Sequence, residues 1–169
     1  MSIQATKLQL ISLAQIACYI MMAIPLRLLV LAGRQIDPQI RHLRRGSLVV
    51  ANHQWFLDPF VVLAHLPLAA FLALLPIRFP VKHKFMKNRR WQWLRLLGCY
   101  DIGATPREKM VGLYRARQLL RQGVTIFLFP EGNVNQSGQT GEFSGELNFS
   151  LPKTLRSCSF AYKGFTGTI

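Results

Sequence analysis

The two elements between Thr105 and Pro130 do most to restrict what this chain can fold into. Thr105-Pro106-Arg107-Glu108 is a helix start, with threonine at the N-cap, proline at the first helical position and glutamate three residues past the cap. The helix is expected to run to about Gln122 and to stop at Gly123. Val124-Thr125-Ile126-Phe127-Leu128-Phe129 follows at once, β-branched and aromatic, and ends at Pro130. The same grammar occurs upstream. Ser47-Leu48-Val49-Val50-Ala51-Asn52, bounded by Gly46, predicts a buried strand, and Phe60 to Leu66 a helix stopping near Pro67. Ala69 to Leu75 is an apolar run, helix or strand, closed by Pro76. Lys82 to Leu97 predicts a helix-rich surface piece with Trp91 and Trp93 on opposite sides, and Gly98 to Ala104 a strand. Strands alternating with helices make an α/β fold, a largely parallel central sheet flanked by helices.

Charge narrows the partners. Twenty-one Lys and Arg against seven Asp and Glu leave a net charge of +14, an excess that calls for a polyanion. The arginines sit within apolar stretches, as in Trp91-Gln92-Trp93-Leu94-Arg95-Leu96-Leu97. Cations interleaved with Trp and Leu suit the boundary between lipid headgroups and acyl chains, so membrane lipids are the expected partner and nucleic acid is not. Cys18, Cys99 and Cys158 show no paired spacing, which speaks against a disulfide framework or a metal site and fits a reducing compartment.

An N-terminal hydrophobic, membrane-associating helix is the third constraint. Leu8 to Leu26 holds nineteen residues without a charge, the lower range for a membrane span. Gln9, Ser12 and Gln15 weaken its first half, and Pro25 is expected to end or kink it. A single span, a helix lying in the interface and a cleaved signal segment are all open. Basic residues after it (Arg27, Arg34, Arg41, Arg44, Arg45) would set the following domain on the cytoplasmic side of the membrane. The chain divides into this segment (1–32), a core (33–132) and a loop-rich or incomplete part (133–169) dominated by Gly, Ser, Asn and Thr.

Asn52-His53-Gln54-Trp55-Phe56-Leu57-Asp58-Pro59 carries the first chemistry. On a continuous helix, positions five apart diverge by roughly 140°. His53 and Asp58 therefore meet only if the chain turns, and a strand ending at Asn52 before a helix beginning at Pro59 supplies the turn. A carboxylate on one imidazole nitrogen fixes the tautomer and frees the other nitrogen to accept a proton. No Ser or Cys nucleophile stands nearby, so the natural task is to deprotonate an acceptor hydroxyl directly. The plain alternative is a helix cap beside a loop histidine. Phe129-Pro130-Glu131-Gly132 closes the clearest strand, where α/β sheets bind ligands, although Pro-Glu-Gly alone is a common turn. His42, His65 and His83 have no carboxylate at a useful spacing.

Taken together, Asn-His-x4-Asp after one strand and Phe-Pro-Glu-Gly after another resemble the glycerol-3-phosphate and 1-acylglycerol-3-phosphate acyltransferase family, over roughly Ser47 to Gly132. The resemblance implies an O-acyltransferase of phospholipid biosynthesis that moves a fatty acyl group from acyl-CoA or acyl carrier protein to a glycerophosphate or lysophospholipid hydroxyl. It implies His53 as general base and Asp58 as its partner, with Asn52, Glu131 and Gly132 on the substrate side and no metal or cofactor. Three departures accompany it. Ala104 stands where the family commonly has a phosphate-binding Arg, with Arg107 the nearest substitute. Asn133-Val134-Asn135 replaces Thr-Arg-Ser, and the tail lacks the usual helix and Pro-containing strand. These leave two alternatives, a non-glycerophosphate lysolipid as acceptor or a degenerate, inactive membrane-binding member.

Overall fold

The computed structural model of the chain describes residues 3–29, 42–51, 58–129 and 157–160. Five strands form one sheet: β1 (Leu48–Ala51), β2 (Ile77–Val81), β3 (Cys99–Asp101), β4 (Thr125–Leu128) and β5 (Ser157–Phe160). Their order is β3-β2-β4-β1-β5, and every pairing is parallel. The helices are α1 (Ile3–Leu29), α2 (Asp58–His65), α3 (Leu68–Leu74), α4 (His83–Lys87) and α5 (Pro106–Arg121), with a 3-10 turn at Arg89–Arg95. This is the expected α/β architecture.

Both faces of the sheet are covered, as parallel sheets require. On one face Val49, Ala51, Ile77, Phe79 and Phe127 pack against α1, α2 and α3, with Tyr19 stacked on Phe71 at 4.4 Å. On the other, Leu48, Tyr100, Val124 and Ile126 pack against Leu119 and Leu120 of α5, with Leu8 of α1 at the margin. The capping box at α5 is formed as the residues dictate. Thr105 accepts from the Glu108 backbone, and Glu108 accepts from the backbone of Thr105 and Ala104.

Two strands are absent from the expected element list. β5 falls within the tail, where it adds an edge strand beside β1. β2 is hidden by Arg78 and Pro80, since proline is normally kept out of interior strands. Here Phe79 donates to Gly98 and Val81 accepts from Ile102, so odd positions bond toward β3 and even ones toward β4. The N–H that Pro80 lacks thus falls on the β4 side, beyond Arg78, the last β2 residue paired with β4. The proline costs no ladder bond.

Of the two outcomes expected at Pro25, an end or a kink, the helix does not end there, since α1 runs four residues past it. Proline removes one helical bond, but Ala23 and Leu26 on either side are both buried and hold the segment in place. α1 is also built into the domain. Ile11, Gln15, Tyr19, Ala23 and Leu26 are buried at near-helical spacing. Gln15 Nε2 donates to the carbonyls of Ile77 (2.7 Å) and Leu97 (2.9 Å), and its Oε1 accepts from Ile77 N–H (3.1 Å). Tyr19 donates to the Leu66 carbonyl at 2.8 Å. The opposite side of α1 shows Leu10, Leu13, Ile20, Met21 and Ile24 to the outside.

Candidate active site

Of the residues singled out by sequence, Asn52, His53, Glu131 and Gly132 lie outside the described part of the chain, as does the Asp58 side chain. The Asp58 backbone opens α2, one residue before the expected start. Arg107 sits exposed in the first turn of α5.

The strands that precede these segments are in register. Val50 pairs with Leu128, so the carboxyl ends of β1 and β4 finish side by side. His53 is two residues beyond Ala51, which limits its Cα to about 7 Å from that strand end. Glu131 is three residues beyond Leu128, within about 11 Å. β2 and β3 end at the same edge, with Val81 opposite Asp101. Continuing the β2–β4 register of Ile77 with Thr125 sets Val81 level with Phe129, and hence with Ala51 on the far side of β4. Two strand spacings, about 10 Å, separate Val81 from Ala51.

That edge carries a pair the spacing in sequence concealed. His83 Nδ1 lies 2.6 Å from Asp101 Oδ2, correcting the expectation that His83 has no carboxylate near it. Eighteen residues separate them, and only the parallel β2–β3 register brings them together. The second carboxylate oxygen of Asp101 accepts from the Gly103 N–H at 2.7 Å, which fixes its orientation. With Nδ1–H donating to the carboxylate, Nε2 remains as an acceptor. Both side chains are partly exposed, at 43% and 35%.

Local backbone needs make this corner possible. Gly103 has φ +106, and a Cβ there would come within 2.4 Å of the Glu108 Cβ. A Cβ on Gly112 would meet the Ile102 carbonyl at 2.4 Å, so the glycine lets α5 lie against the exit of β3. The edge is cationic. Burial pushes the Lys82 ammonium below its ordinary pKa, and the charges of Lys84 and Lys109 push the same way. Glu108 is held below its usual carboxylate value by the backbone hydrogen bonds from Thr105 and Ala104. Among the described residues, no three His, Cys, Asp or Glu side chains gather as a metal site would require.

Comparison with known proteins bears out the family resemblance. The model of the acyltransferase family matches residues 34–151. A protein of Mycoplasma pneumoniae named "probable 1-acyl-sn-glycerol-3-phosphate acyltransferase" is 31% identical over 106 residues, covering 62% of this chain and 39% of its own. One of the same name from Mycoplasma genitalium is 35% identical over 107 residues, covering 59% of this chain and 37% of its own. The chain thus spans under two-fifths of each of these relatives. No solved structure matches it.

Proposed function

Because the chain belongs to the acyltransferase family, we propose that it transfers a fatty acyl group from a thioester donor to a hydroxyl of a glycerophosphate or lysophospholipid at a membrane surface. The observation that carries this reading is the register of β1 with β4. It starts the Asn52-His53 and Glu131-Gly132 segments from neighbouring strand ends, at the edge where parallel sheets take their ligands. In the proposed reaction His53 accepts the proton of the acceptor hydroxyl while Asp58 fixes its tautomer. The oxygen attacks the thioester carbonyl, the carbon–sulfur bond of the tetrahedral intermediate breaks, and the imidazolium returns the proton to the departing thiolate. The Lys82, Lys84, Lys109 and Arg107 charges suit a phosphorylated acceptor or donor. Acyl-CoA and acyl carrier protein both fit as donor.

The placement proposed for the membrane is one-sided. A helix whose Gln15 is bonded to the backbone of β2 cannot be surrounded by lipid without taking the sheet with it. Its exposed apolar side fits half-immersion in one leaflet, with the domain on the cytoplasmic side.

The His83–Asp101 pair favours one competing reading, in which the second histidine is the base. Acyl transfer from labelled donor to a panel of lysolipids, with membranes carrying His53→Ala or His83→Ala, separates them. The expected result is a loss of roughly 10²–10⁴-fold in His53→Ala with liposome binding intact. Undiminished transfer there, with the loss in His83→Ala, would transfer the role to His83.

A further inference from the structure

Arg78 is the second residue of β2 and is only 7% exposed. Its guanidinium lies over the Tyr100 ring, 5.5 Å from the centroid, on the sheet face covered by α5. Arg115 of α5 stands over the same ring at 5.5 Å. Two cations thus share one aromatic ring. Burial, then the charge of Arg115, pushes Arg78 below its ordinary pKa.

No counter-charge meets them among the described residues. Arg78 Nε and Tyr100 Oη are both buried without a hydrogen-bond partner. Asp101 is engaged by His83 and Gly103, and Glu108 by its capping box. Asp58 opens α2, which packs on the opposite face of the sheet. A buried guanidinium N–H without an acceptor is costly to retain, and among the described residues Arg78 Nε and the protonated Tyr100 hydroxyl are donors with nothing to donate to. Burial raises the Tyr100 hydroxyl to about 12, so it remains a donor at neutral pH. Guanidiniums are suited to oxyanions because their planar fork matches two oxygens at once. Arg115 is exposed, which leaves the site open on its flank.

We infer that Arg78, Arg115 and Tyr100 form an anion site for a phosphate group on the α5 face of the sheet. It stands apart from the proposed reaction edge, since Arg78 lies three residues, about 10 Å, upstream of Val81. The phosphate can come from the nucleotide end of a thioester donor or from a lipid headgroup.

The test needs no activity readout, so it stands or falls separately from the proposed reaction. Thermal unfolding of the full chain in mild detergent is followed as inorganic phosphate replaces chloride at constant ionic strength. Wild type gains about 3–6 °C at phosphate tenfold above its Kd, saturably. Arg78→Met loses the response while keeping or raising its melting temperature in chloride, and Arg115→Gln weakens phosphate binding at least tenfold. Should Arg78→Met fail to fold, Arg78→Lys serves, with a response weakened by the loss of the fork. Displacement of phosphate by adenosine 3′,5′-bisphosphate assigns the donor. Displacement by phosphatidic acid in phosphatidylcholine vesicles assigns a headgroup, and by neither a free phosphate. No response in wild type, or an equal response in Arg78→Met, overturns the site.

Discussion

Gln15→Leu is the sharpest test of how α1 is joined to the domain. The substitution nearly conserves volume, so its effect is the loss of three hydrogen bonds. Ile77 N–H is left buried with no acceptor, at about 1–3 kcal/mol. The Ile77 and Leu97 carbonyls each lose one donor, adding about 1 kcal/mol together. The apolar leucine at a position 4% exposed returns about 1 kcal/mol. The net is about 1–3 kcal/mol, or roughly 2–12 °C in melting temperature for a chain of this size. Urea unfolding in mild detergent, followed by tryptophan fluorescence, reads it directly. Ile20→Ala is the control: it lies on the same helix but is 65% exposed, and is expected to shift stability by less than about 0.5 kcal/mol. If Gln15→Leu is as silent as the control at unchanged denaturant slope, α1 is a detachable anchor and the reasoning fails.

Two further outcomes follow from the same helix and from α5. Replacing Leu13, Ile20 and Ile24 with serine removes apolar surface that faces outward, and is expected to cut liposome co-flotation ~10-fold or more with an unchanged circular dichroism spectrum. Retained flotation would count against half-immersion. Glu108 has a folded pKa below its ordinary 4.5, so its stabilisation is present above that value and is lost as pH falls through the lower, folded one. The melting-temperature gap between wild type and Glu108→Ala should therefore be open at pH 7 and close on acidification. A gap that widens in acid contradicts the capping assignment.

What could be read from the residues was whatever local physics decides. Thr105, Pro106 and Glu108 announce the start of α5 because a capping box is contained in four consecutive residues. β1 and β4 announce themselves as short apolar runs between turn residues. β2 does not, because its tolerance of Pro80 depends on where the β4 pairing stops, a property of two strands rather than one. His83 and Asp101 were unreadable for the same reason, being joined by register across eighteen residues. Gln15 was readable only as a polar residue that weakens a membrane span; that it ties the helix to the sheet depends on residues sixty and more positions away. Of the candidate site, Arg107 falls in the helical turn expected for it, while His53, Glu131 and Gly132 lie outside the described residues, beyond the ends of β1 and β4 in sequence.

The mixture of arginine with tryptophan and leucine, first a matter of composition, becomes a surface once the 3-10 turn is considered. Three residues per turn place positions i and i+3 on one side. Leu94 is buried, and Trp91 and Leu97 are half-buried on the same side, with Trp91 edge-on to Phe85. Trp93 and Leu96 share a second side with Arg90, and Arg89, Gln92 and Arg95 form the third, all exposed. The two tryptophans therefore do point apart, although the element is not an α-helix. The Leu97 carbonyl that follows is bonded to Gln15, and a Cβ on Gly98 would touch Ile11 at 3.3 Å. The segment after the turn consequently abuts α1, while Trp93 and Leu96 of the turn and Leu10 and Leu13 of α1 are exposed. For the proposed half-immersion, exposed apolar groups on both segments with arginines beside them suit an anionic leaflet. Gln15 thus joins α1 to the start of β2 and to the segment that follows the 3-10 turn.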